Sequence, residues 1–135
     1  MPESPPPGAE MPTLAEVVRW TGFDVDEVDG TRVGRVHSVF TDAASGEPTW
    51  LIVALGRRGA KRVAIPLRDC AGAANRVWTV HGREALRTAP AVDPARPLLR
   101  EHELTICRYF GISEKVGRAA EIVDRPVDSV TSQPA

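Results

Sequence analysis

A short stretch, EVDGTRVGRVHSVFTD at residues 27–42, limits the possible folds of this chain more than any other part of the sequence. Asp29 and Gly30 form an Asp-Gly pair, which supplies the positive φ angles of a tight β-hairpin turn. The strand after this turn contains apolar residues that do not alternate cleanly, namely Val33, Val36, Val39 and Phe40. Their spacing predicts a β-bulge, and Gly34 permits a close backbone approach in the same strand. The stretch therefore predicts a hairpin followed by a bent strand, which lets a small sheet curl onto itself.

Further strands are predicted at short intervals. Phe23 and Val25 alternate with acidic residues, as in a half-buried strand, and residues 50–55 are apolar on both faces, as in a strand covered on both sides. The next strand ends near Pro66, which has no N–H to donate and belongs at an edge or a bulge, and residues 75–80 form one more strand. Five or six such strands predict a mainly β fold, a small closed β-barrel without exposed edges.

The chain divides into four predicted segments. These are a disordered, proline-rich leader at 1–12, the barrel domain at 13–90, a helical extension at 91–124 and a disordered tail at 125–135. Thr13 and Glu16 have the spacing of a capping box, which predicts a short helix at 14–20. In the extension, Gly111 is expected to end a first helix, and Ser113 is expected to begin a second.

Composition argues against several classes of protein. The formal net charge of −1 is not that of a strongly nucleic-acid-binding protein. Cys70 and Cys107 do not form a C-x-x-C pair, and each is expected to act as a small buried hydrophobic residue. The first residues lack the basic start and apolar stretch of a signal peptide, and no apolar run reaches the ~18 residues that span a bilayer. We therefore expect a cytoplasmic protein.

The sequence shows no catalytic, cofactor or metal motif. The three histidines, His37, His81 and His102, lack the spacing of metal ligands, and no serine lies in a G-x-S-x-G context. Asp42 is expected to cap the turn that contains Gly46 rather than to act as a base. An enzyme would require His37, Asp42 or His81 to meet in one pocket.

One basic cluster surrounds a predicted hairpin; it consists of Arg57, Arg58, Lys61 and Arg62. Such a cluster suits contact with phosphate or with an acidic protein patch, and it also occurs in turns that are merely soluble. No aromatic side chain is interleaved with it, which argues against recognition of single-stranded nucleic acid. The three tryptophans are assigned to packing, although an exposed tryptophan would indicate an interface.

Several residues match a known family; they are Gly30, Gly34, Val36, Asp42, Gly46, Val53, Val63 and Pro66. With these residues the chain resembles the PRC-barrel domain family. The segment after the strands resembles the tail of short actinobacterial members, through Asp93, Pro94, Arg96, Leu98, Tyr109, Phe110 and Gly111. The resemblance covers about residues 20–111. Leu99 departs from it, because a serine or threonine helix cap is expected there.

The resemblance implies a small β-barrel that serves as an assembly module. The family occurs in the cytoplasmic part of the photosynthetic reaction-centre H subunit and in the C-terminal half of the ribosome maturation factor. The chain has no transmembrane helix and no room for a second barrel, so neither role is expected in its full form.

The sequence therefore predicts a non-enzymatic protein-interaction module that self-associates, as a homodimer, and binds an unidentified protein partner without a cofactor. The alternative is a ribosome- or RNA-associated accessory factor that binds through the basic hairpin. Salt would weaken such binding steeply.

Overall fold

The structure is a computed structural model that describes residues 12–56, 58, 61–73 and 75–112, and the backbone of residues 122–126. The helices are α1 (Leu14–Arg19), α2 (Arg83–Arg87) and α3 (Arg100–Phe110), and a 3₁₀ turn occupies Leu67–Asp69. The strands are β1 (Asp24–Glu27), β2 (Arg32–Asp42), β3 (Pro48–Leu55), β4 (Arg62–Pro66), β5 (Cys70–Gly72), β6 (Arg76–Thr79), β7 (Leu98–Leu99) and β8 (Ile122–Pro126).

The fold is mainly β. Six strands hydrogen bond in the order β4-β3-β2-β1-β6-β5, and β8 pairs with both β2 and β7. Neighbouring strands of the six are antiparallel except β1 and β6, which are parallel. The sheet is therefore mixed, and its one parallel pair joins segments that are far apart in the sequence.

The sheet must be strongly curled, because its two edge strands are joined by only three residues. The four Cα steps from Pro66 at the end of β4 to Cys70 at the start of β5 span at most about 14 Å. A flat sheet of six strands would place its edges about 24 Å apart. Curling is thus required by the length of this connection.

The prediction of a closed barrel is wrong for the part of the chain that the structure describes, since β4 and β5 form no ladder with each other there. The free edge of β4 instead meets the segment after α2. Val63 forms a bridge with Ala91, and the Val92 N–H donates to the Arg62 carbonyl at 2.9 Å. Pro66 has no N–H to offer at the end of β4, so closure would be incomplete at that position.

Helix α1 begins with the predicted capping box. The Thr13 hydroxyl accepts a hydrogen bond from the Glu16 N–H at 3.2 Å, and the Glu16 carboxylate accepts one from the Thr13 N–H at 3.0 Å. This end of the helix is therefore satisfied locally, and Val17 and Trp20 are left to enter the core.

The main core fills the inside of the curled sheet. Its strand residues include Val25, Val36, Val53, Val63 and Val77, one from each of β1, β2, β3, β4 and β6. Val17 of α1 and Leu86 of α2 complete it, together with Trp20 and Ala89, which follow these helices closely. A curved sheet alone cannot cover its own concave face, so side chains from α1 and α2 are needed to exclude water.

A second core lies on the outer face, beneath α3. Phe40, Trp50, Ile52 and Ala64 of the sheet pack against Leu98, Ile106 and Cys107. Trp50 is 2% exposed, and its indole Nε1–H donates to the buried Glu103 carboxylate at 3.2 Å. Residues 50–53 of β3 are therefore covered on both faces, in agreement with their continuous apolar sequence.

The C-terminal region agrees with the prediction for its first helix only. Gly111 follows α3 in the left-handed conformation, with φ 70°, and Leu99 stands at the N-cap without a side-chain hydrogen bond. Residues 122–126 form β8, where the sequence predicts the end of a helical extension and the start of a disordered tail. Most of the predicted second helix, the leader to residue 11 and the tail from residue 127 lie outside the described residues. No described helix is long and apolar enough to cross a membrane.

A candidate docking surface on the outer face of the sheet

The register of the sheet aligns charged residues from separate strands. Across β4, β3, β2, β1 and β6, directly opposed residues form one row: Arg62, Ala54, Arg35, Asp24 and Arg76. Opposed residues in a ladder point to the same face of a sheet. The valines next to this row lie in the inner core, so the row itself faces outward. We call these five residues the charged row.

The charged row lies beyond the part of the outer face that α3 covers. Helix α3 packs over the other end of β3, at Trp50 and Ile52. At the row, the side chain of Arg35 is 61% exposed, and Ala54 is half-buried between the two flanking arginines. This part of the sheet is therefore accessible in the described structure, with a small residue between two large cations.

Ion pairs hold part of this surface in place. Asp24 Oδ1 lies 3.2 Å from Arg32 Nε and 3.9 Å from Arg35 Nε. Arg76 donates from Nη1 to Asp26, whose side chain is only 6% exposed. The two aspartates are thus engaged with arginines, and the positive charges of the row exceed its negative charge.

Arg62 differs from the other arginines of the row. The residue is half-buried, and none of the ion pairs among the described residues involves it. Its Nε is buried and has no hydrogen-bond partner within the described part of the chain. A buried donor without an acceptor costs free energy, so this group marks a place where an acceptor is expected.

A partly exposed tryptophan lies next to the row. Trp78 opposes Asp26 on one side and Ala71 on the other, and it is half-buried on the outer face. Trp20 and Trp50 are buried in the two cores, as predicted for packing residues. Trp78 instead has the amphipathic, half-exposed character that is frequent at protein interfaces.

Three of the four residues of the predicted basic hairpin lie in the part of the chain that the structure describes. Arg57 lies outside the described residues, and Arg58 is exposed. Lys61 Nζ donates to the Arg87 carbonyl at the end of α2, at 2.6 Å. Of these three described residues, Arg62 alone belongs to the charged row.

The predicted turn residues take local structural positions. Gly30 has φ 98°, and the amide of Thr31 donates to Asp29 at 2.8 Å, which lowers the pKa of that carboxyl. Asp42 is buried and accepts from the Ser45 N–H at 2.9 Å, ahead of Gly46 with φ 79°. Pro66 is buried at the end of β4, and Gly34 lies against β3.

The candidate catalytic residues contact different neighbours. His37 Nδ1 lies 3.0 Å from the Ser38 hydroxyl, and desolvation lowers the pKa of His37, with a further contribution from the charge of Arg62. His81 Nε2 lies 2.8 Å from Asp69 and contacts the ring of Phe110 edge-on. His102 is exposed on α3. No group of three potential metal ligands occurs among the described residues.

Neither cysteine is positioned as a reactive thiol. Burial raises the pKa of the Cys70 thiol to about 12, and its Sγ lies 3.6 Å from the Pro66 carbonyl oxygen. Cys107 is buried in the outer core. Because thiolate is the reactive form of cysteine, a raised pKa disfavours reaction at Cys70.

The charged row itself was not foreseen from the sequence. Its members are scattered from residue 24 to residue 76, and only strand pairing makes them neighbours. The parallel pairing of β1 with β6, which adds Arg76, has no local signal comparable with an Asp-Gly turn.

A comparison with protein families identifies a match over the same region. The model of the PRC-barrel domain matches residues 14–83, which extend from α1 to the start of α2 and include the whole charged row. No curated protein matches the chain.

Proposed function

The chain belongs to the PRC-barrel family, and from this premise we propose that it is a protein-docking module without catalytic activity, which binds a protein partner through the charged row. The observation that carries the proposal is the aligned set of Arg62, Ala54, Arg35 and Asp24 beyond the cover of α3, in which Arg35 is exposed and the other three are half-buried. Charged groups on an accessible face favour encounter with a complementary partner and fix its register.

The absence of catalysis is part of this proposal. It is supported by the placement of His37, Asp42 and His81, which are engaged with Ser38, with a turn and with Asp69 respectively. His37 and Asp42 stand five residues apart on one extended strand, a separation of roughly 16 Å. General acid–base catalysis requires such groups to be within hydrogen-bond reach of one substrate atom.

Site-specific photo-crosslinking tests the docking surface. A photoreactive phenylalanine analogue at position 35 is expected to give a discrete crosslinked product in cells of the source organism, because this side chain lies on the charged row and is exposed. The same analogue at position 19, an exposed position on α1, serves as the matched control and should give only background. Products are compared by gel shift and mass spectrometry.

The contrast between the two positions decides the result. Equal crosslinking from positions 35 and 19, or none from position 35, would remove the charged row as the docking surface.

Self-association is a further part of the proposal. The charged row carries both signs, so two copies related by a two-fold axis can oppose arginine to aspartate. Light scattering after size-exclusion chromatography should then give about twice the chain mass of 14.6 kDa at micromolar concentration. The monomer mass at every concentration tested would contradict this part of the proposal and leave docking to another protein unaffected.

The alternative function is association with RNA through the basic hairpin. In its favour, Arg58 is exposed and Arg62 has no carboxylate partner among the described residues. Against it, Lys61 is engaged with α2, and the chain has a net charge of −1. We therefore prefer the protein-docking function.

A further inference from the structure

We propose that Trp78, Val80 and Val28 form a binding site beside the charged row, and that its occupant is an apolar side chain, with a carboxylate close by, on an extended segment of a partner protein. This inference rests on the proposed docking function and specifies the chemistry of the partner. We call these three residues the apolar anchor.

The exposure of the anchor provides the first argument. Val28 is 64% exposed and Val80 is 60% exposed, and these are the two most exposed large apolar side chains among the described residues. Trp78 is half-buried. Exposed apolar residues that are scattered singly need no explanation, whereas a group that lies together on one face indicates a site of interaction.

Strand pairing brings the three side chains together. The Val28 N–H donates to the Thr79 carbonyl at 3.1 Å, which continues the parallel register of β1 and β6 by one residue and places Val28 beside Val80. The Val80 N–H donates to the Asp69 carbonyl at 3.4 Å, which continues the ladder between β5 and β6, so Val80 lies on the same outer face as Trp78. The three side chains are therefore neighbours on the outer face.

The size of the anchor favours one inserted side chain over a second folded copy. Even a fully buried aromatic side chain removes only about 150–250 Å² from water. One half-buried tryptophan and two valines therefore supply much less than the roughly 800 Å² that each partner buries in a stable interface. An anchor of this size suits a single apolar residue of a short segment.

The charges on the adjoining outer face favour an acidic neighbour for that residue. This face has four arginines and two aspartates, namely Arg32, Arg35, Arg62, Arg76, Asp24 and Asp26. The excess of positive charge is complementary to a carboxylate. Arg76 is the arginine nearest to the anchor along β6, and its side chain is 43% exposed. Its Nη1 pairs with Asp26, and a guanidinium has further N–H donors for a second acceptor.

Acidic groups close to the anchor are already engaged. Asp29, in the hairpin next to Val28, accepts from the Thr31 N–H at 2.8 Å. The carboxylate of Asp69 lies 2.8 Å from His81 Nε2. The side towards Arg76 is therefore the one that attracts a carboxylate of the partner.

Spacing along β6 defines the order of the partner's side chains. Arg76 precedes Trp78 by two residues, which is about 7 Å of extended strand. An extended partner segment also repeats its side-chain direction every two residues, over the same distance. An apolar residue with an acidic residue two positions away therefore reaches the anchor and Arg76 at the same time.

A nucleic-acid base is the competing occupant, because a half-exposed tryptophan beside arginines suits stacking. The two valines supply no aromatic surface for a second base. The net charge of −1 also opposes general attraction to a polyanion. We therefore favour the protein segment.

NMR of the full chain with isotope-labelled tryptophan tests the anchor, since the chain has only three tryptophans. The probe is a serine-rich octapeptide with a leucine and a glutamate two residues away on either side. It should shift the indole N–H signal of Trp78 and leave the signals of Trp20 and Trp50, buried in the two cores, unchanged. Replacement of the leucine by serine should weaken binding about tenfold. Replacement of both glutamates by glutamine should weaken it about threefold.

A double variant, Val28→Thr with Val80→Thr, removes the apolar character at nearly constant shape. Both side chains are exposed, so the fold is retained, and the affinity for the leucine peptide should fall about tenfold. Leu99→Ser is the matched control. Leu99 is 42% exposed and is the N-cap of α3, where serine is favoured, so this variant should bind the peptide like the wild type.

Each contrary result has a definite meaning. Absence of a shift at Trp78, or equal affinity of the double variant and Leu99→Ser, overturns the anchor. A Trp78 signal that moves on dilution of the wild type without peptide would assign the anchor to a second copy. A shift caused by oligouridylate but not by the leucine peptide would assign it to nucleic acid. In each case crosslinking from position 35 still decides separately whether the charged row docks a protein.

Discussion

Replacement of Gly34 by alanine is expected to lower the free energy of unfolding by about 3 kcal/mol. A Cβ at this position would lie well inside contact distance of the Ala54 carbonyl oxygen and at 3.0 Å from Val53 Cγ1. The carbonyl belongs to the backbone of β3, which pairs with β2 on one side and with β4 on the other, so it cannot move aside cheaply. Urea denaturation followed by circular dichroism measures the change.

The matched control is Gly82→Ala. Gly82 has φ −82°, which alanine adopts without strain, and a Cβ there would meet only the flexible carboxylate of Glu27 at 3.2 Å or more. Its cost should stay below about 1 kcal/mol. If the two alanine variants lose equal stability, the close approach of β2 to β3 at Gly34 is not what makes glycine necessary there.

Replacement of Glu103 by alanine is expected to lower the free energy of unfolding by about 3 kcal/mol. The Glu103 side chain is 1% exposed, accepts from Trp50 Nε1 and lies 3.5 Å from Arg100 Nη1. Alanine would remove the acceptor of a buried indole and leave the guanidinium of Arg100 without this carboxylate. Loss of protection in α3 by hydrogen exchange, together with the unfolding free energy, reports the effect.

Glu103→Gln separates the hydrogen bond from the charge. Glutamine keeps an acceptor for the Trp50 N–H, so about half of the loss should be recovered if that hydrogen bond matters. A glutamine variant as unstable as the alanine variant would mean that the negative charge beside Arg100 is the dominant contribution. An alanine variant as stable as the wild type would contradict the role of Glu103 in fastening α3 to the sheet.

The elements with local signals could be predicted from the sequence. The capping box predicted α1, the Asp-Gly pair predicted the hairpin between β1 and β2, and the irregular valines predicted the register shifts in β2. Each of these signals depends on residues within a few positions of one another, where sterics and hydrogen bonding decide the backbone.

The elements without local signals were missed. β5 has only three residues in an alanine- and glycine-rich segment, and β7 has two, which is too short for a recognisable alternation. β8 lies where residues resemble a helical pattern and is held by pairing with β2 and β7. Closure of the sheet was predicted wrongly, because it depends on whether β4 meets β5 or the segment at Ala91.

The candidate site was predicted only in part for the same reason. Arg62 was selected because it lies in a basic hairpin, yet strand pairing places it beside Ala54 and in line with Arg35. Trp78 was assigned to packing by its size, although its strand places it on the outer face. Pairing between distant strands, which decides both, cannot be read from a single sequence.

The parallel pairing of β1 with β6 has a consequence for the order of events during synthesis. The chain emerges from the ribosome with β1 early, whereas its partner β6 is made only after β2, β3 and β4. Until then the amide and carbonyl groups on one side of β1 have no partner strand. The main core, to which β6 contributes Val77, therefore stays incomplete until β6 has been synthesised. Such long-range pairing slows folding and prolongs exposure to aggregation. The nascent protein is therefore most vulnerable during translation of the interval that precedes β6.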